Sequence, residues 1–209
     1  PAALYELALE LLGSVPVAVE NRSKAERGYA LHAGDEEKPS KGTAVRLAAG
    51  MTVDDALEAV MRSVLSHVQA NEHGLMRHSD PEYVHQMRVA LRRLRSAFSV
   101  FRPAVNAAVE RMVPQMRALA RTLGATRDWD VFMENACAQA LAAFPNHAGI
   151  QAYVREFRKR QRLARRKAQR AVGSTHYQRL MLELGAWLHA KRWRSNSSSD
   201  TRAMLERPD

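Results

Sequence analysis

The sequence contains one cysteine, Cys137, so the chain cannot close an internal disulfide bond. Aromatic residues make up only 6% of the chain, which is low for a surface that stacks the bases of single-stranded nucleic acid. There is no apolar run of membrane-spanning length and no signal-peptide pattern, so we expect a cytoplasmic location and no membrane partner. A Walker loop, a nucleophile elbow and a dinucleotide fingerprint are also missing, which removes the usual sequence evidence for an enzyme.

Positive charge, by contrast, is abundant. The 32 lysines and arginines exceed the 22 aspartates and glutamates by ten. A surplus of this size predicts a polyanionic partner, which can be nucleic acid, an anionic membrane surface or a phosphate polymer. Apolar residues make up 46% of the chain, enough to form a core. Composition therefore predicts a folded anion-binding protein without identifying the anion.

The hydrophobic pattern is helical from Met51 onward and predicts a mainly all-α fold, an antiparallel bundle of the four-helix type. We expect helices at about 51–69 or beyond, 81–102, 105–123, 127–143, 147–172 and 175–190. Thr52 and Asp80-Pro81 are expected N-terminal caps, and Gly124, Pro145 and Gly173 are expected to separate the later helices.

The first fifty residues show a different pattern. Leucines at helical spacing predict a short helix that ends at Gly13. Alternation after Val15 predicts a strand with one charged face. That face consists of Glu20, Arg22, Lys24 and Glu26. We expect four regions: a helix-plus-strand unit at 1–33, a linker at 34–50, the helical bundle at 51–194 and a flexible tail at 195–209.

The segment from Val84 to Arg102 contains no acidic residue. Its apolar stripe, predicted to be core, consists of Val84, Met87, Leu91, Leu94, Phe98 and Phe101. A cationic stripe lies roughly 110° around the helix and consists of His85, Arg88, Arg92 and Arg95. Arginine binds phosphate through two parallel hydrogen bonds, and this row advances about 5 Å per step, which suits a linear polyanion. The alternatives are a solvated arginine-rich face and a histidine that only packs.

A second cationic face is predicted on the helix at 147–172, with only Glu156 as an internal counter-charge. Its members occupy an arc of about 140°. They are Arg155, Arg158, Lys159, Arg162, Arg165, Arg166 and Arg170. We expect the two cationic faces to meet across one channel, with Arg117 and Arg121 adding a third wall.

Two other kinds of chemistry are disfavoured by spacing. His67, His73, His78 and His85 do not share a helix face, so we expect no metal and no cofactor. Asp128 and Asp130 point about 200° apart on a helix and do not form an acid pair. We expect Asp128 near a helix start and one of these carboxylates paired with Arg127 or another basic helix. Cys137, among alanines, is expected to be a buried, inert thiol.

Two stretches, "PEYVHQMRVALRRLRSAFSVFRP" and "LARTLGATRDWDVFMEN", closely resemble the CHAD family, the conserved histidine α-helical domain. The later "THYQRLMLELGAWL" extends the resemblance to about residues 51–194. The resemblance implies two related four-helix bundles around a basic channel that binds inorganic polyphosphate, and a binding module with no catalytic role. It carries phosphate contact to His85, Arg88, Arg92 and Arg95, with Arg93 added although it departs from the stripe. It extends more loosely to Arg155, Arg158, Lys159, Arg162 and Arg166.

The resemblance covers the first half of a CHAD domain, and the second histidine helix of the family has no counterpart here. We therefore expect a piece of a longer protein and hypothesise a homodimer in which each copy supplies the missing half. The first 33 residues resemble the C-terminal end of the CYTH, or triphosphate tunnel, family. One or two strands cannot close a tunnel, so this part is expected to be a remnant without triphosphatase activity.

Together with this resemblance, the basic stripes predict a polyphosphate-binding module that directs its host protein to polyphosphate granules. Two alternatives remain at this point. One is an accessory part of a CYTH-type triphosphatase or cyclase, and the other is a non-specific nucleic-acid binder, which the low aromatic content disfavours.

Overall fold

Long helices carry nearly all of the regular structure. The computed structural model describes residues 2–20, 22–34, 37–104, 107–195 and 199–207. In chain order the helices are α1 (Ala2–Leu11), α2 (Lys24–Ala33), α3 (Val53–Arg77), α4 (Pro81–Val100), α5 (Ala107–Phe132), α6 (Ala138–Ala143), α7 (Ala148–Val172), α8 (Thr175–His189) and α9 (Ser199–Leu205). A 3₁₀ turn at Arg102–Ala104 follows α4, and a π-helical segment at Met133–Cys137 joins α5 to α6. The predicted all-α class is confirmed.

The central helices begin where the sequence predicts. The Thr52 hydroxyl accepts a hydrogen bond from the Asp55 amide at the start of α3. Asp80 caps α4 through the Glu82 amide, with Pro81 in the first turn. Both caps satisfy amides that a helix start otherwise leaves without a partner. These caps fix where α3 and α4 begin and thereby the register of their packing.

The core lies between α3, α4, α5 and α8. The predicted apolar stripe of α4 is confirmed, because Val84, Met87 and Leu94 are fully buried and Phe98 packs edge-on against Trp187 of α8. Helices α3 and α4 approach closely at Gly74, where a Cβ atom would overlap the ring of Tyr83. The cationic stripe of α4 therefore sits on a helix that is held rigidly by its neighbours.

The predicted strand is wrong. Residues 16–20 form no strand ladder, and the chain then enters α2 at Lys24. Ser23 and Glu26 form a capping box in which each side chain accepts a hydrogen bond from the other residue's amide. This local helix start outweighs the alternating charge pattern. Helix α1 is confirmed, and it packs on α8, with Tyr5 stacked on His189.

The predicted break at Gly124 is also wrong, because α5 runs through it to Phe132. A glycine inside a helix costs only about 1 kcal/mol relative to alanine. The flanking Leu123, Thr126 and Asp130 are buried against neighbouring helices, and this packing outweighs that cost. The predicted start of the helix at residue 105 lies outside the described residues, whereas the expected breaks near Pro145 and Gly173 are present.

The predicted linker is bound to the helices along residues 37–48, which we call the strap. The Ser40 amide donates to the Asn71 side chain, which donates back to the Ser40 carbonyl, at 2.9 and 2.8 Å. The Tyr83 hydroxyl donates to the Glu37 carbonyl at 2.6 Å. The strap therefore lies along α3 and α4 and has no helix or strand of its own.

The predicted flexible tail contains α9. Leu205 is only 3% exposed and belongs to the main core, and the Val53 amide donates to the Arg207 carbonyl at 3.3 Å. The polar composition of the tail predicted flexibility, but its one buried leucine anchors α9 to the core. Residues 196–198 and 208–209 of the predicted tail lie outside the described part of the chain. Of the helices in the described ranges, none is both long and apolar enough to span a membrane.

Candidate functional site: a basic groove between two helices

A groove of about 300 Å³ runs between α4 and α5. We call it the α4–α5 groove. Its lining residues are His85, Arg88, Val89, Leu91, Arg92, Arg95, Ala120 and Arg127. All four members of the predicted cationic stripe thus line one concave surface. They do so because the apolar stripe of α4 is buried beside them, which places the cations at the edge where α5 packs.

The cations differ in how far the protein itself neutralises them. Arg88 donates to the Gly124 carbonyl at 3.4 Å and lies 3.7 Å from the Asp128 carboxylate. Arg127 lies 3.4 Å from Glu134. Since the Asp128 side chain is 80% exposed, its pairing with Arg88 is weak and open to exchange with an external anion.

The remaining basic residues of the groove have no carboxylate within ion-pair distance among the described residues. These are His85, Arg92 and Arg95, of which the two arginines are exposed. Unpaired cations on one concave surface repel one another, and a bound anion removes that repulsion. The groove is therefore suited to a ligand with several negative charges.

Arg127 is a groove residue that the sequence-based site did not include. The predicted break at Gly124 places Arg127 at the start of a separate helix, where it is a possible partner of Asp128 or Asp130. In the structure α5 is continuous, so Arg127 lies two turns after Ala120 on the same side. A prediction of one continuous helix through Gly124 would have placed Arg127 on the side of α5 that faces α4.

Arg93 does not reach the groove, and its inclusion in the site is corrected. Its guanidinium donates to the Thr43 carbonyl at 2.9 Å and the Ser63 hydroxyl at 3.2 Å, and lies 3.4 Å from His67 Nδ1. These partners belong to the strap and α3. Arg93 points away from its neighbour Arg92 because consecutive helical residues differ by about 100°. Its role is to hold the strap.

The cationic face of α7 does not line the α4–α5 groove, so the expected channel between two facing stripes is not formed by the described residues. Arg155, Arg158, Lys159, Arg162 and Arg166 are exposed. Lys159 pairs with Glu156 at 3.2 Å, and Arg166 lines a separate groove near Met76. The reason is that α7 packs on α5 through the side that bears Val154 and Ala168.

Arg165 is the member of this face that approaches α4. It donates to the carbonyls of His78 and Asp80, just before α4, at 3.1 and 3.4 Å. Arg158 and Arg162 lie within about 60° of Arg165 around α7. They therefore lie on the side of α7 that faces the start of α4, where His85 begins the groove.

The prediction that Arg117 and Arg121 form a third wall of the same channel is also wrong. Arg121 lines a different groove, between α5 and α7, and Arg117 is exposed one turn before it. Neither residue is among those that line the α4–α5 groove. Helix α5 thus separates two basic grooves, because Ala120 and Arg127 face α4 whereas Arg121 and Trp129 face α7.

The two aspartates of the second motif have different environments. Asp128 is exposed beside Arg88, whereas Asp130 is fully buried, accepts from Gln161 at 2.8 Å and lies 3.8 Å from Arg165. Burial raises the pKa of Asp130 although Gln161 and Arg165 act to lower it. Pairing with another basic helix is confirmed, but Asp128 lies inside α5 rather than near a helix start. Asp130 connects α5 to α7 and, through Arg165, to the start of α4.

His67, His73 and His78, which the sequence analysis weighed as metal ligands, have structural partners. His67 bonds to Gln86 at 3.0 Å, His73 lies 2.6 Å from Glu37, and His78 lies 3.5 Å from the same carboxylate. Burial lowers the pKa of His67. In the part of the chain that the structure describes, no three metal-ligating side chains are grouped closely enough to hold an ion. Cys137 is buried, as expected, and burial raises its thiol pKa.

Comparison with known proteins identifies the architecture. The family model of the CHAD domain matches residues 59–208. The crystal structure of the CHAD domain from the plant Ricinus communis matches with a TM-score of 0.65 and 31% sequence identity, covering 78% of this chain. This chain spans 55% of the length of that plant chain. No curated protein matches significantly. The family match begins at residue 59, after the N-terminal segment that resembles the triphosphate tunnel family.

Proposed function

Because this chain belongs to the CHAD family, whose domains are linked in general to polyphosphate binding, we propose that its α4–α5 groove binds inorganic polyphosphate. The CHAD domain alone is not a known catalytic domain, and the proposed activity is non-covalent capture. The observation that carries the proposal is the alignment of His85, Arg92 and Arg95 in one groove without a carboxylate partner among the described residues.

The geometry of the stripe favours a linear anion. From His85 to Arg95 the helix advances about 15 Å, with a basic side chain at every turn. A polymer with a charge on each unit can contact several of these side chains at once, whereas a single phosphate contacts one or two. Arg127, on the opposite wall, lets the protein contact the polymer from both sides. The exposed Arg158 and Arg162 of α7 extend the positive potential beyond His85.

The same geometry disfavours double-stranded DNA. A groove of about 300 Å³ between two packed helices admits a bare phosphate chain, whereas the phosphates of a duplex lie on a convex cylinder. No aromatic residue lines this groove to stack an unpaired base. The proposed biological consequence is recruitment of the protein that carries this domain to polyphosphate granules.

The test is a titration of the protein with long-chain polyphosphate and with double-stranded DNA, at matched phosphate concentration and two salt concentrations. We expect tighter binding to polyphosphate, with an affinity that falls steeply with salt because bound counterions are released. Equal affinity for both polymers, or an affinity that salt does not change, would contradict the proposal.

The matched variants are R92A/R95A and R46A/R111A, which remove the same charge. Arg92 and Arg95 line the groove, whereas Arg46 and Arg111 are exposed elsewhere. We expect R92A/R95A to weaken polyphosphate binding by about 1–3 kcal/mol per arginine, with unchanged helicity. The R46A/R111A control should change it far less. A similar loss in both variants would mean that only net charge matters.

A further inference from the structure

A second groove lies on the other side of α5, and its lining differs in kind from that of the α4–α5 groove. It has a volume of about 500 Å³, within the usual range for small-molecule sites. We call it the α5–α7 groove. Its lining residues are Arg121, Thr122, Ala125, Thr126, Trp129, Arg160, Leu163, Ala164 and Lys167. It thus combines three cations with an indole ring and an apolar floor.

Two hydrogen bonds fix how α5 and α7 are aligned. The Thr126 hydroxyl donates to the Ala164 carbonyl at 3.1 Å, and the Gln161 amide donates to Asp130 at 2.8 Å. The helices are therefore antiparallel, with residue numbers that sum to about 290 at each level. This register places Arg121 beside Lys167 at one end of the groove and Trp129 beside Arg160 at the other.

The two ends are chemically distinct. Arg121, Arg160 and Lys167 are exposed, and none of them has a carboxylate within ion-pair distance in the described ranges. Trp129 is supported from behind by Phe132 and Phe157, with ring centroids at 5.8 and 6.1 Å. About 12 Å of helix separates Arg121 from Trp129. The end with Arg121 and Lys167 is suited to the anionic oxygens of a ligand. The end with Trp129 and Arg160 is suited to a flat aromatic ring of the ligand.

The apolar floor between the two ends of the groove disfavours a ligand that is charged along its whole length. Ala125, Leu163 and Ala164 offer no side-chain hydrogen bond, and the hydroxyls of Thr122 and Thr126 donate to backbone carbonyls. A polyphosphate strand laid along this floor would lose hydration of its charged units without compensation. A ligand with a charged end, a less polar middle and an aromatic end avoids that cost.

We propose that the α5–α7 groove binds a nucleoside triphosphate. The base stacks on Trp129 near Arg160, and the terminal phosphates contact Arg121 and Lys167. Base stacking on an aromatic side chain and arginine contact with phosphate are both strong enough to hold such a ligand. The site is independent of polyphosphate binding in the α4–α5 groove, and either one can fail without the other.

The location of binding can be tested by intrinsic fluorescence. Trp187 and Trp193 are almost fully buried, so Trp129 is the tryptophan that an added ligand can reach. We expect ATP to quench the emission in a saturable way at constant ionic strength, and inorganic triphosphate to quench it much less. Absence of quenching at millimolar ATP would overturn the proposal.

Affinities are then measured by calorimetry on variants. W129A should weaken ATP binding about 5-fold or more, and W129F, which keeps a flat ring, should stay close to the wild type. R160A/K167A should weaken ATP binding at least about 10-fold, because the phosphate contact of Lys167 and the cation beside the stacked base are both lost, while polyphosphate binding is retained. R92A/R95A should weaken polyphosphate binding and leave ATP binding close to that of the wild type.

Three outcomes would overturn the proposal. They are ATP affinity unchanged in both W129A and R160A/K167A, ATP affinity lost in R92A/R95A alone, and equal affinity for ATP and inorganic triphosphate in the wild type. Arg160 and Lys167 are exposed, so that double variant tests the site even if W129A is unfolded.

Discussion

Arg92 and Arg93 are adjacent in the sequence but serve different parts of the molecule. Arg92 lines the α4–α5 groove, and Arg93 binds the strap through Thr43 and the hydroxyl of Ser63. Removing Arg93 leaves the Thr43 carbonyl with only the longer bond from the Ser63 hydroxyl, at 3.4 Å. The loss of the two Arg93 hydrogen bonds costs about 1–2 kcal/mol of unfolding free energy. R93A should therefore lower stability in urea denaturation and retain polyphosphate binding.

Limited proteolysis gives a second readout for the same residue. The strap contains Lys41 and Arg46, and R93A should speed tryptic cleavage after these two residues, because the strap has lost one of its attachments. R92A is the matched control and should cleave at the wild-type rate. If R93A lost polyphosphate binding and kept a protected strap, Arg93 would belong to the binding surface after all.

Asp54 is a buried carboxylate that accepts four side-chain hydrogen bonds. It accepts hydrogen bonds from Trp193 at 2.6 Å, from Arg194 at 2.6 and 2.8 Å, and from Lys191 at 3.2 Å. Burial acts to raise its pKa, but the bonds from Arg194, Trp193 and Lys191 together lower it from 3.8 to about 2. This cluster attaches the segment after α8 to the start of α3.

The pH dependence of stability follows from that lowered pKa. The stabilisation is complete above about pH 4 and is lost as pH falls through the folded-state pKa, with a total of about 2 kcal/mol. We expect D54N to be less stable than the wild type at neutral pH by about 2–3 kcal/mol, and this difference to shrink toward pH 2. Urea denaturation of both proteins between pH 2 and pH 7 measures this difference in the free energy of unfolding. D55N, at an exposed neighbouring carboxylate, is the control, and a pH-independent difference would contradict the explanation.

Helix α9 decides whether the end of the chain belongs to the folded unit. Leu205 is 3% exposed and lies in the main core. L205A should lower the free energy of unfolding by about 2–4 kcal/mol, measured by thermal or urea denaturation. L163A is a control, since Leu163 is 53% exposed and should cost much less. Equal stability of L205A and the wild type would show that the tail does not stabilise the fold.

Helix α5 is the element that organises both proposed sites. Its α4 side carries Ala120 and Arg127, and its α7 side carries Arg121 and Trp129. Both sides depend on the helix continuing through Gly124. The carbonyl of Gly124 also accepts the hydrogen bond of Arg88, so the predicted break falls at a point where the two helices are in contact.

At the scale of the whole molecule, the net charge of +10 favours long-range attraction of anions, and the two grooves are where we propose that they bind. The chain spans 55% of the plant CHAD chain, and the resemblance implies a domain of two related bundles. We expect the isolated protein to form a homodimer that supplies the second bundle. Light scattering should then give twice the 23.5 kDa subunit mass, and a mass of one subunit would contradict this expectation.

The sequence by itself determined the all-α class, the starts of α3 and α4, the apolar stripe of α4 and the cationic stripe that lines the groove. These features follow from residue spacing and local caps, which act within a few turns of one helix. Family resemblance was recognisable for the same reason, because its residues form two contiguous stretches. Spacing also showed that Asp128 and Asp130 point apart.

Only the tertiary structure decided the rest. Helix α5 continues through Gly124 because its flanking residues pack against neighbouring helices, and Arg127 therefore lines the α4–α5 groove. Packing also turned Arg93 toward the strap, placed the cations of α7 outside the groove, and buried Leu205. Each of these outcomes depends on contacts between residues far apart in the chain. A periodic pattern defines the faces of a helix, but the partner of each face is chosen by how the helices pack.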